Sequence, residues 1–345
     1  MSLAELQDRI RDAAARGAPL RLRGGGSKDF YGNEPRGELL DTRGYAGIVS
    51  YEPTELVVTA RCGTSLTQLE NVLRENGQCL PFEPPHFGPE ATLGGCVAAG
   101  LSGPRRASAG ALRDFVLGVK LVDGQGRAMA FGGQVMKNVA GYDVSRLAAG
   151  SLGTLGLIAE ASLKVLPLAA CELSLELECS EAEALESMNA WAGQPLPISG
   201  TAWHAGRLCV RLSGAEPAVR AAAEKIGGTR IQAQQLWHDV REHRHAFFGG
   251  SAPLWRLAVP SVCPPLDAPG GTLIEWSGAL RWLRVQDARE IAAQAGGHAT
   301  RFRSHEKRED VFTALDPVAM ALHRRLKAAF DPAGILNPGR MYAEV

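Results

Sequence analysis

The chain has 345 residues, 45% hydrophobic and 21% charged, with 37 basic side chains balanced by 37 acidic ones. This is the composition of an ordinary globular protein, long enough for more than one compact core. No long basic run is interleaved with aromatics, so nucleic acid is not an expected partner. Seven scattered cysteines, odd in number and without a CxxC pair, argue against disulfides, structural zinc and iron–sulfur ligation, and suit a reducing compartment. No signal-peptide pattern opens the chain. The longest weakly polar stretch, Ala91 to Leu101, falls short of the about 20 apolar residues that span a bilayer. A cytoplasmic location is therefore expected, with any attachment at the inner membrane made through partners.

In chain order, Ser2-Leu3-Ala4-Glu5 is a capping box opening a helix with Leu3, Leu6, Ile10 and Ala13 on one face, as far as Gly17. A strand from Leu20 to Arg23 runs into Gly24-Gly25-Gly26-Ser27-Lys28. Leu56 to Ala60 reads as a strand, and Ser65 to Gln68 as a capping box for a helix carrying Leu66, Leu69, Val72 and Leu73. Glycine and proline dominate from Pro81 to Gly110, too long a stretch for an idle connection. Asp123-Gly124-Gln125-Gly126 is a hairpin turn between strands Phe115–Val122 and Arg127–Phe131. Leu157 to Val165 alternates, with Leu157, Ala159, Ala161, Leu163 and Val165 expected on one face.

Beyond Pro167 the texture changes. Ala202–His204 and Leu208–Leu212 bracket a turn and precede a helix from about Pro217. Thr272–Trp276 and Leu280–Leu283 repeat the pattern before a helix near Asp287 and a strand near Ala299. An antiparallel sheet covered by helices follows from this repetition. Asp316-Pro317 caps a last helix with Val318, Leu322, Leu326 and Phe330 on one face, and Asp331-Pro332 stops it.

Three glycine clusters carry the functional signal. Gly24 to Lys28 matches neither a Walker loop nor a dinucleotide G-x-G-x-x-G opening a helix. What remains is a nest of successive amides able to face one anion, with Ser27 and Lys28 as added donors, or else a plain glycine turn. Glu90 to Gly103 is crowded with small residues and suits either a flush-lying ligand or a close helix crossing. In the third cluster Asp143 caps a short helix that Gly150 ends, and Gly153 and Gly156 lead into the alternating strand. Together the three fit one long ligand of dinucleotide size. His243 and His245 are two apart on an expected helix, so they point apart and read as a solvated charged face rather than a metal pair. His86 and His298 have no acidic partner at a metal-binding spacing, and no serine-hydrolase signature appears.

The stretches RGGGSKDFYG, PPHFGPEATLGGCVAAGLSGPRR, KNVAGYDVSRLAAGSLGTLG and FDPAGILNPGRMY resemble, in this order, the FAD-binding fold of the vanillyl-alcohol oxidase and p-cresol methylhydroxylase type, and most closely the E-subunit family of glycolate oxidase (glycolate dehydrogenase). The resemblance is dense in the first half and returns at the C-terminus. It implies an α+β fold in which two subdomains (residues 1–168) hold FAD, an α+β cap (169–315) covers it, and a C-terminal helix and tail (316–345) return to the site. It also implies that Gly24, Gly25, Gly26 and Ser27, beside Arg23, take the pyrophosphate. Thr92, Gly94, Gly95, Ser102 and Gly103 would line the phosphates, ribityl and flavin, Gly153 and Ile158 the adenine end, and Asn337 and Arg340 the isoalloxazine. Lys137 and Arg340 are the expected cations near the flavin. Covalent members often carry a histidine in the first loop; Arg23 to Gly32 has none, so non-covalent FAD is expected.

Hydroxy-acid dehydrogenases of this type carry a cap motif H-x-G-D-G-N-x-H that this chain lacks. The implied role is thus an FAD subunit of a multi-subunit dehydrogenase for glycolate or a similar 2-hydroxy acid. A homologous flavoprotein subunit would oxidise most of the substrate, and an iron–sulfur subunit would carry the electrons onward. Two other readings stay open. One is a self-sufficient dehydrogenase whose base and clamp come from Arg256, His298, Arg301 or Arg303; the other is a flavin-free assembly subunit.

Overall fold

The computed structural model describes residues 1–133, 143–305 and 310–345. The segment containing Lys137 and the Asn138 to Tyr142 part of the third cluster lies outside the described residues. The first helix, Leu3–Arg16, starts where expected: the Ser2 hydroxyl accepts the Glu5 amide, the Glu5 carboxylate accepts the Ser2 amide, and Gly17 closes it at φ 61°. Leu6, Ile10 and Ala13 pack on a parallel strand pair, Leu20–Arg23 with Glu38–Asp41, and on Ile335 and Leu336 from the C-terminus. Ser65 precedes helix Leu66–Glu75 but makes no side-chain cap, so the expected capping box there is only half realised.

Five antiparallel strands form the first large sheet in the order Ile48–Glu52, Val57–Arg61, Leu157–Lys164, Val116–Val122, Ala128–Gly132. Helices Leu66–Glu75 and Leu93–Ala99 bury their apolar faces in its core. The central strand departs from the expected alternation. Glu160 faces Lys120 and Ile158 faces Leu121, so Ala159 is one residue extra, a β-bulge. Leu157 and Ala159 join the core beneath the first helix, while Ile158, Ala161 and Leu163 join the core of the sheet. Burial on both sides of a central strand, rather than one, removes the polar face that alternation predicts.

The second sheet has eight antiparallel strands, in the order Thr229–Ile231, Cys171–Glu178, Arg207–Gly214, Ile198–His204, Thr272–Glu275, Leu280–Arg284, Leu254–Ala258, His298–Arg303. Helices Glu181–Ala192 and Glu216–Ile226 cover one part of it, as the repeated hairpin-and-helix pattern requires. Among the described residues no helix is long and apolar enough to cross a membrane.

Two sequence expectations need correction. Helix Pro317–Phe330 does not bury the stripe starting at Val318: Val318 is 80% and Leu322 54% exposed. Its rotation is set instead by Lys327, whose buried ammonium donates to the carbonyls of Thr154 (2.8 Å) and Leu336 (2.6 Å) and pairs with Asp331 at 2.8 Å. Nor does His243 sit on a solvated face. Helix Gln234–Arg241 ends before it, and the ring stacks on Phe248 at 4.0 Å and meets the edge of Trp282 at 4.6 Å. Burial, reinforced by Arg303, Arg256 and Arg284, holds its imidazole well below the ordinary range and hence neutral.

Lys327→Met should leave Asp331 and two carbonyls buried without their cation and cost about 3–5 kcal/mol in thermal or urea unfolding. Adding Asp331→Asn should recover part of that loss in a double-mutant cycle. A second expectation concerns Glu275, fully buried in the cap sheet. Burial pushes its carboxyl up to about 7, against the opposing pull of the Trp282 Nε1 hydrogen bond at 2.7 Å and of Arg256. Its folded value lies above the ordinary 4.5, so folding favours the protonated acid and stability falls as pH rises between those two values. The penalty should reach about 3 kcal/mol above the upper one. Urea midpoints measured across this window should lose that slope in Glu275→Gln.

Candidate functional site

Strand Leu20–Arg23 delivers the chain into the first glycine loop. Asp29 holds the loop's base, accepting from Arg21 at 2.6 Å and from Arg23 Nε at 2.8 Å, and its amide closes a turn onto the Gly26 carbonyl. Gly26 lies at φ 72°. A side chain on Gly25 would overlap the Glu90 carbonyl, and one on Gly24 would overlap the Thr92 hydroxyl. The loop is therefore glycine because the Glu90–Thr92 backbone lies flush against it. Among the described residues the amides of Gly24, Gly25, Gly26 and Ser27 donate to no protein acceptor. Lys28 is turned elsewhere, to the His86 carbonyl at 3.3 Å, and burial lowers its pKa.

Thr92 caps helix Leu93–Ala99 by accepting the Gly95 amide at 3.3 Å. The Gly94 amide is taken by the Cys62 carbonyl at 2.8 Å, and a side chain at Gly94 would lie 2.6 Å from Cys62 Cβ. Gly94 thus serves close packing rather than donation. The C-terminal end of this helix meets the third cluster: Val97 and Ala98 accept the amides of Gly150 and Leu152, both at 2.9 Å.

Asn337 joins the pieces. Its buried side chain accepts the Leu22 amide at 2.7 Å and donates to the Leu152 carbonyl at 2.6 Å, and its own amide donates to Leu20 at 2.9 Å. Gly153, at φ 74°, has no room for a side chain because Asn337 Nδ2 would lie 2.7 Å from it. The result is a small groove, about 70 Å³, lined by Arg23, Gly24, Gly94, Gly95, Gly153, Ile158 and Asn337. Gly25, Gly26 and Ser27 follow Gly24 in the loop and Thr92 packs against Gly24, but none of these four lines the groove. Thr42 and Cys62 also line it, and the sequence carried no signal for either. Burial pushes the Cys62 thiol up to about 11, so it is a neutral wall and not a nucleophile.

Three expected residues lie elsewhere. The Ser102 hydroxyl accepts the Leu112 amide at 3.0 Å. Gly103 donates to Phe82 and accepts Trp276 Nε1 at 3.0 Å, placing it against the cap. Arg340 grips the carbonyls of Asp29, Tyr31 and Asn33, with burial drawing its pKa down to about 10; it fastens the segment after the glycine loop.

A larger cavity, about 620 Å³, opens past the helix end, where Ala99, Gly100, Ala149 and Gly150 form one wall and Tyr31, Arg256, His298 and Thr300 another. Ala98 and Leu152, on the groove, are chain neighbours of this first wall. Arg301 and Arg303 are turned to aromatic rings instead, over Trp255 at 5.3 Å and Phe30 at 4.3 Å. Among the described residues no group of His, Cys, Asp and Glu is arranged to hold a metal. A pyrophosphate ligand fits what is present among the described residues: amides with no protein acceptor, in a loop whose glycines leave no room for side chains, beside a groove lined by small residues.

Comparison with known proteins agrees. Residues 1–132 match the FAD binding domain family and residues 303–341 the C-terminal domain of FAD linked oxidases. The structure resembles alkyldihydroxyacetonephosphate synthase with a TM-score of 0.68 at 14% identity, over 97% of this chain and 75% of that one, a likeness of fold. A D-lactate dehydrogenase of Archaeoglobus fulgidus is 33% identical over 46% of this chain and 35% of its own. The glycolate oxidase subunit GlcE of Escherichia coli is 48% identical over 99% of this chain and 97% of its own. On that near full-length identity, the chain belongs to the GlcE family of FAD-linked oxidases.

Proposed function

We propose that the chain is the FAD-carrying subunit of a multi-subunit dehydrogenase for glycolate or a similar 2-hydroxy acid, handing electrons toward an iron–sulfur subunit. The observation that carries this reading is the run of four unpaired amides, Gly24 to Ser27, beside a groove where Gly94, Gly153 and Asn337 meet. Amides aimed at an anion without reorganisation are what a buried pyrophosphate needs in place of water. Arg23, held by Asp29, adds positive charge at the groove without reaching into it as a free side chain. Asn337 keeps the two sides of the groove in register. FAD, bound there without a covalent link, would supply the electron acceptor for oxidation of a CH–OH carbon.

Electron delivery through partners is supported by the lack of any cysteine cluster in the sequence and by the near full-length likeness to a protein named as a subunit. The missing histidine-rich cap motif supports a division of labour in which a sibling subunit performs most of the oxidation. Arg256 and His298 line one cavity, which favours a self-sufficient dehydrogenase as the second reading.

Gly25→Val should push the Glu90 backbone off the loop and weaken FAD binding about tenfold or more, the worth of one or two charge-assisted hydrogen bonds. Flavin released on acid denaturation, counted per chain with far-UV circular dichroism as the folding control, measures this. The visible spectrum of the isolated chain tests the division of labour. It should show bound flavin that glycolate hardly bleaches under anaerobic conditions until the partner subunits are added. A colourless protein would sink the proposal, and rapid bleaching by glycolate alone would support the second reading.

A further inference from the structure

The large cavity holds cations that the flavin reading does not use. Arg256 comes from strand Leu254–Ala258, and its cross-strand neighbours Thr300 and, one step further, His298 belong to the next strand. Arg106 comes from the other side of the seam, from the short helix Arg106–Ala109 that follows the second glycine cluster. The two guanidiniums lie over the same indole, Trp276, at 4.3 Å for Arg106 and 5.1 Å for Arg256. Trp276 is buried and its Nε1 is bonded to the Gly103 carbonyl, so the indole is fixed.

Neither arginine forms an ion pair with a described residue. Of the nearby carboxylates, Asp114 accepts the Ala111 amide, Asp316 accepts the Val318 and Ala319 amides at the cap of its helix, and Glu275, which feels the charge of Arg256, is buried and accepts the Trp282 Nε1 hydrogen bond. Arg106 is partly buried, and besides burial the charges of Arg256 and Arg113 disfavour its own. Two half-buried guanidiniums sharing one ring repel each other and lose hydration, and the indole face and the more distant charges of Asp114 and Glu275 offset this without a direct ion pair among the described residues. A guanidinium stacked by its face on an indole still presents its N–H edge, the edge that grips a carboxylate in two parallel hydrogen bonds. Tyr31 adds rigidity: its buried phenol lies beside Arg256, whose charge favours the phenolate against the effect of burial, and its ring packs against Phe302 and Phe312.

We infer that Arg106 and Arg256, seated on Trp276, form a binding site for the carboxylate group of a small organic acid, at the seam between the FAD-binding half and the cap. The identity of the acid as a 2-hydroxy or 2-oxo acid rests on the reading proposed above; the anion site itself does not. Because one arginine comes from each side of the seam, the bound carboxylate also ties the cap to the FAD-binding half. The site needs no metal and no histidine-rich motif, which is how this chain can bind the acid while lacking the cap motif of its relatives.

The test uses the full chain as purified and oxalate, a small carboxylate with no C–H bond to oxidise, as the probe in titration calorimetry. Wild type should bind oxalate with a change in tryptophan fluorescence that Trp276→Phe abolishes. Arg106→Met and Arg256→Met should each weaken binding about ten- to a hundredfold. Arg256→Lys should recover part of the affinity as a point charge without the fork. The neutral glycolamide should not compete. Wild type and both methionine variants binding oxalate equally, or no binding by wild type, overturns the inference. So does loss of flavin from the arginine variants with oxalate affinity unchanged, which assigns the pair to the flavin. Flavin content is read separately on each sample, so a colourless wild type that still binds oxalate would sink the FAD reading and leave the anion site standing.

Discussion

One buried amide holds the site together. Asn337 reaches the protein's first strand at Leu22 and the loop at Leu152 with opposite ends of the same side chain, and these lie far apart in sequence. A carboxamide can do this because it is a donor and an acceptor at fixed separation, which no apolar or singly charged residue of its size can match. Each buried backbone group it satisfies would otherwise be unpaired at a cost of about 1–3 kcal/mol. Without it the glycine loop and the Gly153 turn would share no common support.

The C-terminal segment is positioned in turn by a buried ion pair rather than by apolar packing. Lys327 and Asp331 lie one helical turn apart, and each also satisfies the backbone near Leu336: the ammonium takes its carbonyl and Asp331 its amide. Such a pair is costly to bury and contributes mainly a unique arrangement. That explains why the helix presents Lys327 inward and leaves Val318 and Leu322 outside. Arg340 extends the same logic, exchanging water for three backbone carbonyls.

At the seam the balance of charge is different. The cap brings Arg256, Arg284 and Arg303 toward His243 and a cluster of aromatic rings, and few carboxylates accompany them. Burial pushes the Glu275 carboxyl up to about 7, and Glu242 is spent accepting the amides of His86 and Phe87. The large cavity itself is lined by Arg106, Arg113 and Arg256 against the single carboxylate of Asp316, with Tyr31, Phe312 and Tyr342 beside them, so it is electropositive and suited to an anion whose shape matches a guanidinium edge.

Local signals in the sequence were reliable where a single residue enforces a backbone conformation. Ser2 with Glu5, the Asp123 turn, Asp143 and Asp316 mark element ends through bonds made within a few residues, and the three glycine clusters announced close backbone approach. Periodicity misled at the central strand, where a bulge and burial on both faces break the alternation, and at the last helix, where a buried charge outranks the apolar stripe. Arg340 and Ser102 could be named as important but not located, because a polar side chain's partner is chosen by the fold and not by its neighbours. What the sequence determined by itself was therefore the chemistry available: the glycines that let backbone approach closely, the missing metal motif, the absence of cysteine clusters. Only the tertiary structure decided which of these meet. Asn337, Arg106, Arg256 and Trp276 act through contacts between distant segments, and no local pattern encodes a long-range contact.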